Sequence, residues 1–128
     1  MSAVPFVADV RWLELGRTKI LVVDDDQEVR EIVAEALVDF GYGVVQAGSG
    51  EEALPILHRN HDIGVLITDV RMPGMSGLEL AETARRDDAE LKIIVISGYF
   101  LPQRIGQRFL AKPFHMQELA SAVRAEMG

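Results

Sequence analysis

Five short apolar runs, rich in Val and Ile, punctuate the chain at residues 20–23, 44–45, 65–67, 93–96 and 109–111. Three of them are continuous. A strand with one wet face alternates apolar and polar residues, whereas an unbroken run belongs to a strand covered on both faces, as in a parallel sheet between layers of helices. The intervening segments carry helical signals. Val29, Ile32, Val33, Ala36, Leu37 and Phe40 recur at i, i+3, i+4, i+7, i+8 and i+11, which predicts an amphipathic helix with these six inward, stopped by Gly41. Ser49-Gly50-Glu51-Glu52 reads as a capping box for a second helix reaching about Asn60. Pro55 lies beyond its first turn and removes a backbone donor, so a kink or a late start is expected. Ser76 can cap a third helix through Arg86. A last helix runs from His115 to about Glu126 with Met116, Leu119, Ala120 and Val123 inward. Strands alternating with helices predict an α/β fold, a doubly wound five-stranded parallel sheet with helices on both faces.

Charge and composition exclude several classes of function. The 20 acids outweigh the 13 bases for a net charge of −7. The bases form no stripe, so direct binding of nucleic acid through its phosphates is disfavoured. Without cysteine there is no disulfide, thiolate metal site or thiol nucleophile, which fits a reducing compartment. No apolar run approaches the ~20 residues that span a bilayer. Asp9, Arg11 and Glu14 interrupt the N-terminus, so no signal peptide is read. The expectation is a cytoplasmic protein with no membrane partner, and 128 residues suffice for one domain. Residues 1–18 stand outside the strand–helix scheme as an N-terminal extension to a domain at 19–128. The extension holds Phe6, Val7, Trp12, Leu13 and Leu15, Trp12 being the only tryptophan. It reads either as a frayed leader or as a docking or dimer-forming segment.

Polar residues with chemical potential fall just after the strands. Asp24, Asp25 and Asp26 follow the first, Asp69 ends the third, Ser97 ends the fourth, and Lys112 follows the fifth. Doubly wound sheets bind ligands outside the carboxyl ends of their strands, where strand order reverses. In the order 2-1-3-4-5, strands one and three lie about 4.8 Å apart, with four and five beyond, so all four positions converge on one crevice. Close carboxylates repel unless a cation holds them. Oxygen ligands without His or Cys suit a hard ion, Mg²⁺ or Mn²⁺. A lysine can grip a phosphate oxygen, and a hydroxyl beside Gly98 can donate a hydrogen bond. Together these describe phosphoryl transfer to an aspartate nucleophile. Asp26 reads better as the N-cap of the first helix. His58, His61 and His115 have no metal-site spacing and are expected at the surface or at helix ends.

The segments ILVVDDDQEVR (20–30), LITDVRMPGMSGLEL (66–80), IIVISGY (93–99) and FLAKPF (109–114) closely resemble the receiver domains of bacterial response regulators, the chemotaxis-regulator-like family of two-component signalling. The resemblance covers residues 19–127 and implies a flavodoxin-like fold. It implies Asp24 and Asp25 as the acidic pair that binds Mg²⁺, Asp69 as the phosphorylated aspartate and a metal ligand, and the backbone carbonyl of Arg71 as a further ligand. Ser97 is similar to the hydroxyl that turns toward the phosphoryl group, and Lys112 to the lysine that pairs with it across a Lys112-Pro113 bond expected to be cis. Phe109 occupies the aromatic switch position, although a Phe near a strand is also commonly plain core. A histidine kinase or phosphotransfer protein is the implied phosphoryl donor, with a downstream protein target and a homodimer as further implied partners.

Two departures from the family pattern bear on output. Between the loop at 98–101 and the last strand, residues 102–108 allow about two helical turns, weakened by Gly106, where receivers usually hold a full fourth helix. That helix is therefore expected to be short or absent, which is similar to receivers attached to hybrid histidine kinases. Arg71 and Tyr99 stand two positions after Asp69 and Ser97, where a cation and a bulky ring would shield an acyl phosphate from water. Two other classes compete with the signalling reading. A phosphatase or dehalogenase would want a second acid where Arg71 stands. A phosphorylation-independent interaction module would not need the acids, hydroxyl and lysine intact. Because the sequence stops with its last helix, no output domain is expected.

Overall fold

Each apolar run folds as a strand, and helices separate the first four. In the computed structural model, which describes residues 16–98 and 108–127, the elements are β1 (Lys19–Val23), α1 (Gln27–Asp39), β2 (Gly43–Ala47), α2 (Gly50–Arg59), β3 (Ile63–Asp69), α3 (Gly77–Asp87), β4 (Lys92–Ser97), β5 (Arg108–Ala111) and α4 (Met116–Met127). The strands form one sheet in the order β2-β1-β3-β4-β5, and every neighbouring pair is parallel. The flavodoxin-like order is therefore the expected one. Residues 99–107, the extension up to residue 15 and residue 128 lie outside the described residues; of the segment 102–108 expected to hold a shortened helix only Arg108 is described, and it begins β5 instead.

The unbroken apolar runs follow from a core on each side of the sheet. Successive side chains of a strand point to opposite faces. Leu21 and Val23 of β1 pack with Leu66, Leu80 and Ala84 beneath α2 and α3. Ile20 and Val22 pack with Val33, Leu37, Leu119 and Val123 beneath α1 and α4. No position of β1 from Ile20 onward faces water, so none can be polar without cost. A fully buried Leu or Ile contributes roughly 1.5–3 kcal/mol relative to exposure, which is why these runs dominate the sequence signal.

The helix starts are set by side-chain caps. The Asp26 carboxylate accepts from the backbone N–H groups of Glu28 and Val29 at 3.0 and 3.2 Å, so Asp26 is the N-cap of α1. Ser76 and Glu79 form a reciprocal capping box on α3. On α2 only half of the expected box is present. Ser49 Oγ accepts from Glu52 N–H at 3.1 Å, while the Glu52 carboxylate takes the N–H of Gly48. Nor does Pro55 delay α2, which begins at Gly50 and continues through it to Arg59. Pro55 is exposed, and so is Glu51, whose carbonyl loses its helical donor to the proline, leaving that carbonyl to water.

The inward face of α1 differs from the expected one. Ile32 is 54% exposed and Phe40 43%. The buried residues are Val33, Ala34 and Leu37, so the contact stripe is rotated toward Ala34 and away from Ile32. Phe40 is the C-cap residue, its N–H closing on Ala36 and Leu37, and it lies past the end of the packed face. On α4, Leu119, Ala120 and Val123 are buried and Met116 packs against the same core, as the periodicity predicts.

Candidate functional site

Strand register brings the chemical residues together. Val23 of β1 pairs with Thr68 of β3, so the next residues, Asp24 and Asp69, leave the sheet side by side. Asp69 pairs with Ile96, placing Ser97 one step further on β4. Ser97 pairs with Ala111, and the following N–H, of Lys112, donates to the Ser97 carbonyl at 2.8 Å. The lysine and the hydroxyl residue are thus joined through the backbone. The Lys112-Pro113 bond is cis.

At this rim one carboxylate oxygen from each of Asp24, Asp25 and Asp69 lies within 4.8 Å of the others. Asp24 is buried and Asp25 exposed, with Asp69 between them. Lys112 Nζ stands 3.2 Å from Asp69 Oδ1 and 4.0 Å from Asp24 Oδ2. Burial pushes the Asp24 carboxyl above its ordinary range, and the charges of Asp69 and Asp25 add to the rise. The Asp26 N–H, which donates to Asp24 Oδ1 at 3.0 Å, and the Lys112 ammonium oppose it. One lysine faces three acids, so the cluster is short of positive charge. Clustered carboxylate oxygens with no nitrogen or sulfur donor among them fit a hard divalent cation, and such an ion would relieve the repulsion that Asp24 feels.

Ser97 is buried. Arg71 lies in the β3–α3 connection with its side chain exposed. Phe109 is 39% exposed on the edge strand β5, so it is not the plain core residue that its neighbourhood suggested. His58, His61 and His115 are all exposed, as expected.

Several supporting residues were not singled out by sequence. Arg30 donates to the Asp24 carbonyl at 2.8 Å and to Gln46 Oε1 at 3.1 Å, holding the end of β1 against β2. Thr68, fully buried, donates its hydroxyl proton to the Asp69 carbonyl at 2.9 Å. Glu51 at the start of α2 accepts from Met75 N–H at 3.0 Å, tying the loop after Asp69 to the neighbouring helix. Gly77 opens α3 against the backbone of β3, donating its N–H to Val70 O at 2.8 Å. A Cβ at Gly77 would stand 1.9 Å from the Asp69 carbonyl oxygen. The Ser-Gly pair ahead of an apolar helix was a legible signal for this close approach; Glu51 meets a backbone group 24 positions away and Arg30 a side chain 16 away, while the bond of Thr68 to its neighbour's carbonyl has no distinguishing sequence pattern.

The response regulator receiver domain model matches residues 20–124. The response regulator receiver protein CpdR of Brucella abortus is 34% identical over 112 residues, 82% of this chain and 92% of that protein. The sensor kinase CckA of the same organism is 35% identical over 117 residues, 85% of this chain and only 12% of the kinase. For the transcriptional regulatory protein FixJ of Azorhizobium caulinodans and the response regulator MprA of mycobacteria the chain spans about half of the relative's length. Among solved structures, the response regulator TrrA of Thermotoga maritima in complex with Mg²⁺-BeF is 33% identical with a TM-score of 0.79, covering 85% of this chain and 98% of that one.

Proposed function

The chain belongs to the response regulator receiver domain family, and on that footing we propose that Asp69 is its phosphoacceptor, with Asp24, Asp25 and the Arg71 carbonyl holding Mg²⁺. Receiver domains are phosphoacceptors that partner histidine kinases, and they are signalling domains, not conventional enzymes. The phosphatase or dehalogenase reading is accordingly set aside. The observation that carries the residue assignment is the Lys112 ammonium 3.2 Å from Asp69 inside a three-carboxylate cluster.

In the reaction a carboxylate oxygen of Asp69 bonds to phosphorus as the P–N bond of a phosphohistidine breaks, its electron pair returning to the imidazole. A divalent cation held by Asp24, Asp25 and Asp69 would supply charge neutralisation for the transferring group. Lys112 contributes a fixed positive charge beside the nucleophile, partly screened from solvent, where it acts more strongly than in water. Ser97 is assigned the hydrogen bond to a phosphoryl oxygen. Arg30 and Thr68 hold the Asp24 and Asp69 backbones, so the acids need little reorganisation when the donor arrives.

Residues 19–128 are assigned to the receiver and 1–18 to an extension. The phosphoryl group arrives from a histidine kinase or a phosphotransfer protein. The signal leaves through an altered protein-binding surface or onward relay, with Phe109 as the moving ring. Among the described residues no helix is long and apolar enough to cross a membrane, and a cytoplasmic location is assigned on family grounds. Incubation with acetyl phosphate tests the assignment. Labelling should require Mg²⁺ or Mn²⁺ and vanish in Asp69→Asn; equal labelling of that variant, or none of the wild type, overturns it.

A further inference from the structure

At the rim opposite the carboxylates, α2 and α3 flank a cavity of about 450 Å³. Leu54 and Leu57 of α2 line it together with Ile63 and Leu91, which sit at the entrances to β3 and β4. Its charged rim is already internally paired. Arg17 bonds Asp88 at 2.9 Å, and His58 Nε2 lies 3.0 Å from Asp87. With those groups bonded to one another, the cavity offers apolar surface more than unmet polarity, which suits an uncharged hydrophobic occupant better than an ionic ligand.

The chain itself carries such an occupant at its doorstep. Arg17 forms part of the cavity wall and is anchored to Asp88. Immediately before it, Gly16 has φ +67°, a left-handed conformation that glycine adopts freely and that turns the chain sharply. Trp12, Leu13 and Leu15 lie within five residues of Arg17. Five residues reach up to ~17 Å, and a sphere of the cavity's volume is roughly 10 Å across, so the tether is long enough. Left in water, that cluster would expose a group of large apolar side chains that no soluble surface requires.

We propose that the N-terminal segment folds back from Gly16 and seats the Trp12 indole in the cavity between α2 and α3. The extension is then an intramolecular clamp on the two helices whose opposite ends anchor the loop after Asp69, and this assignment stands independently of the phosphoacceptor reading. Trp12 is the only tryptophan, so the intact chain reports on it without a label. Its emission should be blue-shifted relative to the urea-unfolded chain and several-fold less quenched by acrylamide, with neither property changing on dilution. Leu57→Glu, which brings a charge into the cavity, should return both toward the unfolded values while the far-UV circular dichroism stays native. In methyl NMR spectra, Trp12→Ala should shift Leu54, Leu57, Ile63 and Leu91, and the wild type should show contacts between the indole and those methyls; this second measurement decides the matter if Leu57→Glu fails to fold. An indole as exposed in the native chain as in urea overturns the proposal. So do methyl shifts confined to another face, or protection that appears only as dimers form, which would make the occupant a second copy's segment.

Discussion

Replacing Gly77 by Ala should damage the domain, although alanine is the better helix former. In an exposed helix interior the exchange favours the helix by about 1 kcal/mol. At this position the new Cβ would lie 1.9 Å from the Asp69 carbonyl oxygen, against 3.4 Å at the near edge of ordinary contact, so some 1.5 Å (3.4 − 1.9) must be recovered. The obstacle is backbone, with Asp69 C and Val70 Cα also within 3.0 Å, and no rotamer change can relieve it. Overpacking of this kind costs about 1–3 kcal/mol, and the rigid neighbour argues for the upper end, leaving a net loss of about 2 kcal/mol. Thermal unfolding should fall by about 8 °C at roughly 4 °C per kcal/mol. The Asp69 backbone is the part that must move, and if Asp69 is the acceptor a displacement near 1 Å can cost about a hundredfold in rate. Autophosphorylation by acetyl phosphate should drop by that order. Gly48→Ala is the control, since its nearest neighbour, the Arg30 guanidinium, stands at 3.4 Å, the near edge of ordinary contact, and it should change stability by no more than about 0.5 kcal/mol. A Gly77→Ala protein that melts at or above the wild-type temperature and phosphorylates normally would refute the steric reasoning.

Leu37→Ala should destabilise by about 2–5 kcal/mol while Ile32→Gln stays within about 0.5 kcal/mol, measured by urea unfolding; comparable losses would mean that the inward face of α1 is misassigned. Asp24→Asn should raise the melting temperature without divalent ions, because it removes an ionised carboxylate that burial and two like charges disfavour, and it should abolish the Mg²⁺-dependent stabilisation expected of the wild type. The wild-type stabilisation free energy should approach about 2.7 kcal/mol at a hundredfold excess of Mg²⁺ over Kd. Burial alone would raise the Asp88 carboxyl, but the hydrogen bonds from Arg17 and Glu90 N–H and the charge of Arg17 hold it below the ordinary 3.8. Its stabilisation is therefore fully present above that value and fades as acid takes the pH down through the lower folded value. Arg17→Ala should cost on the order of 0.5–1 kcal/mol at neutral pH and flatten the acid limb of a stability–pH profile; an unchanged limb would discount the pair.

The strands and the meeting of the strand-end residues at one rim were legible because both follow from one constraint. A strand buried on both faces leaves a continuous apolar trace, and the residue that ends it is the first able to be polar, so Asp24, Asp69, Ser97 and Lys112 stand where the traces stop. The caps at Asp26 and Ser76 were legible for the same reason of locality, since each acts within three residues. Ile32 and Phe40 misled because a periodicity of 3.6 specifies a broad stripe, and only the packing partner decides which edge of it is covered. Glu51 and Arg30 escaped for the opposite reason. Glu51 meets a backbone group 24 positions away and Arg30 a carbonyl six away and a side chain on the next strand. Nothing in their immediate neighbours announces such partners.

Parallel pairing through all five strands gathers Asp24, Asp69, Ser97 and Lys112 at a single rim and leaves the other to reversals such as Gly41, whose φ is +100° and where an added Cβ would meet nothing within 4 Å. The two ends therefore tolerate change unequally. One residue added within β3 would turn each following side chain to the wrong side and scatter the acids, whereas residues added at Gly41 would lengthen a connection at little thermodynamic cost. A split or permuted form opened there should reassemble with its reactive centre intact, making that bend the place to graft a reporter.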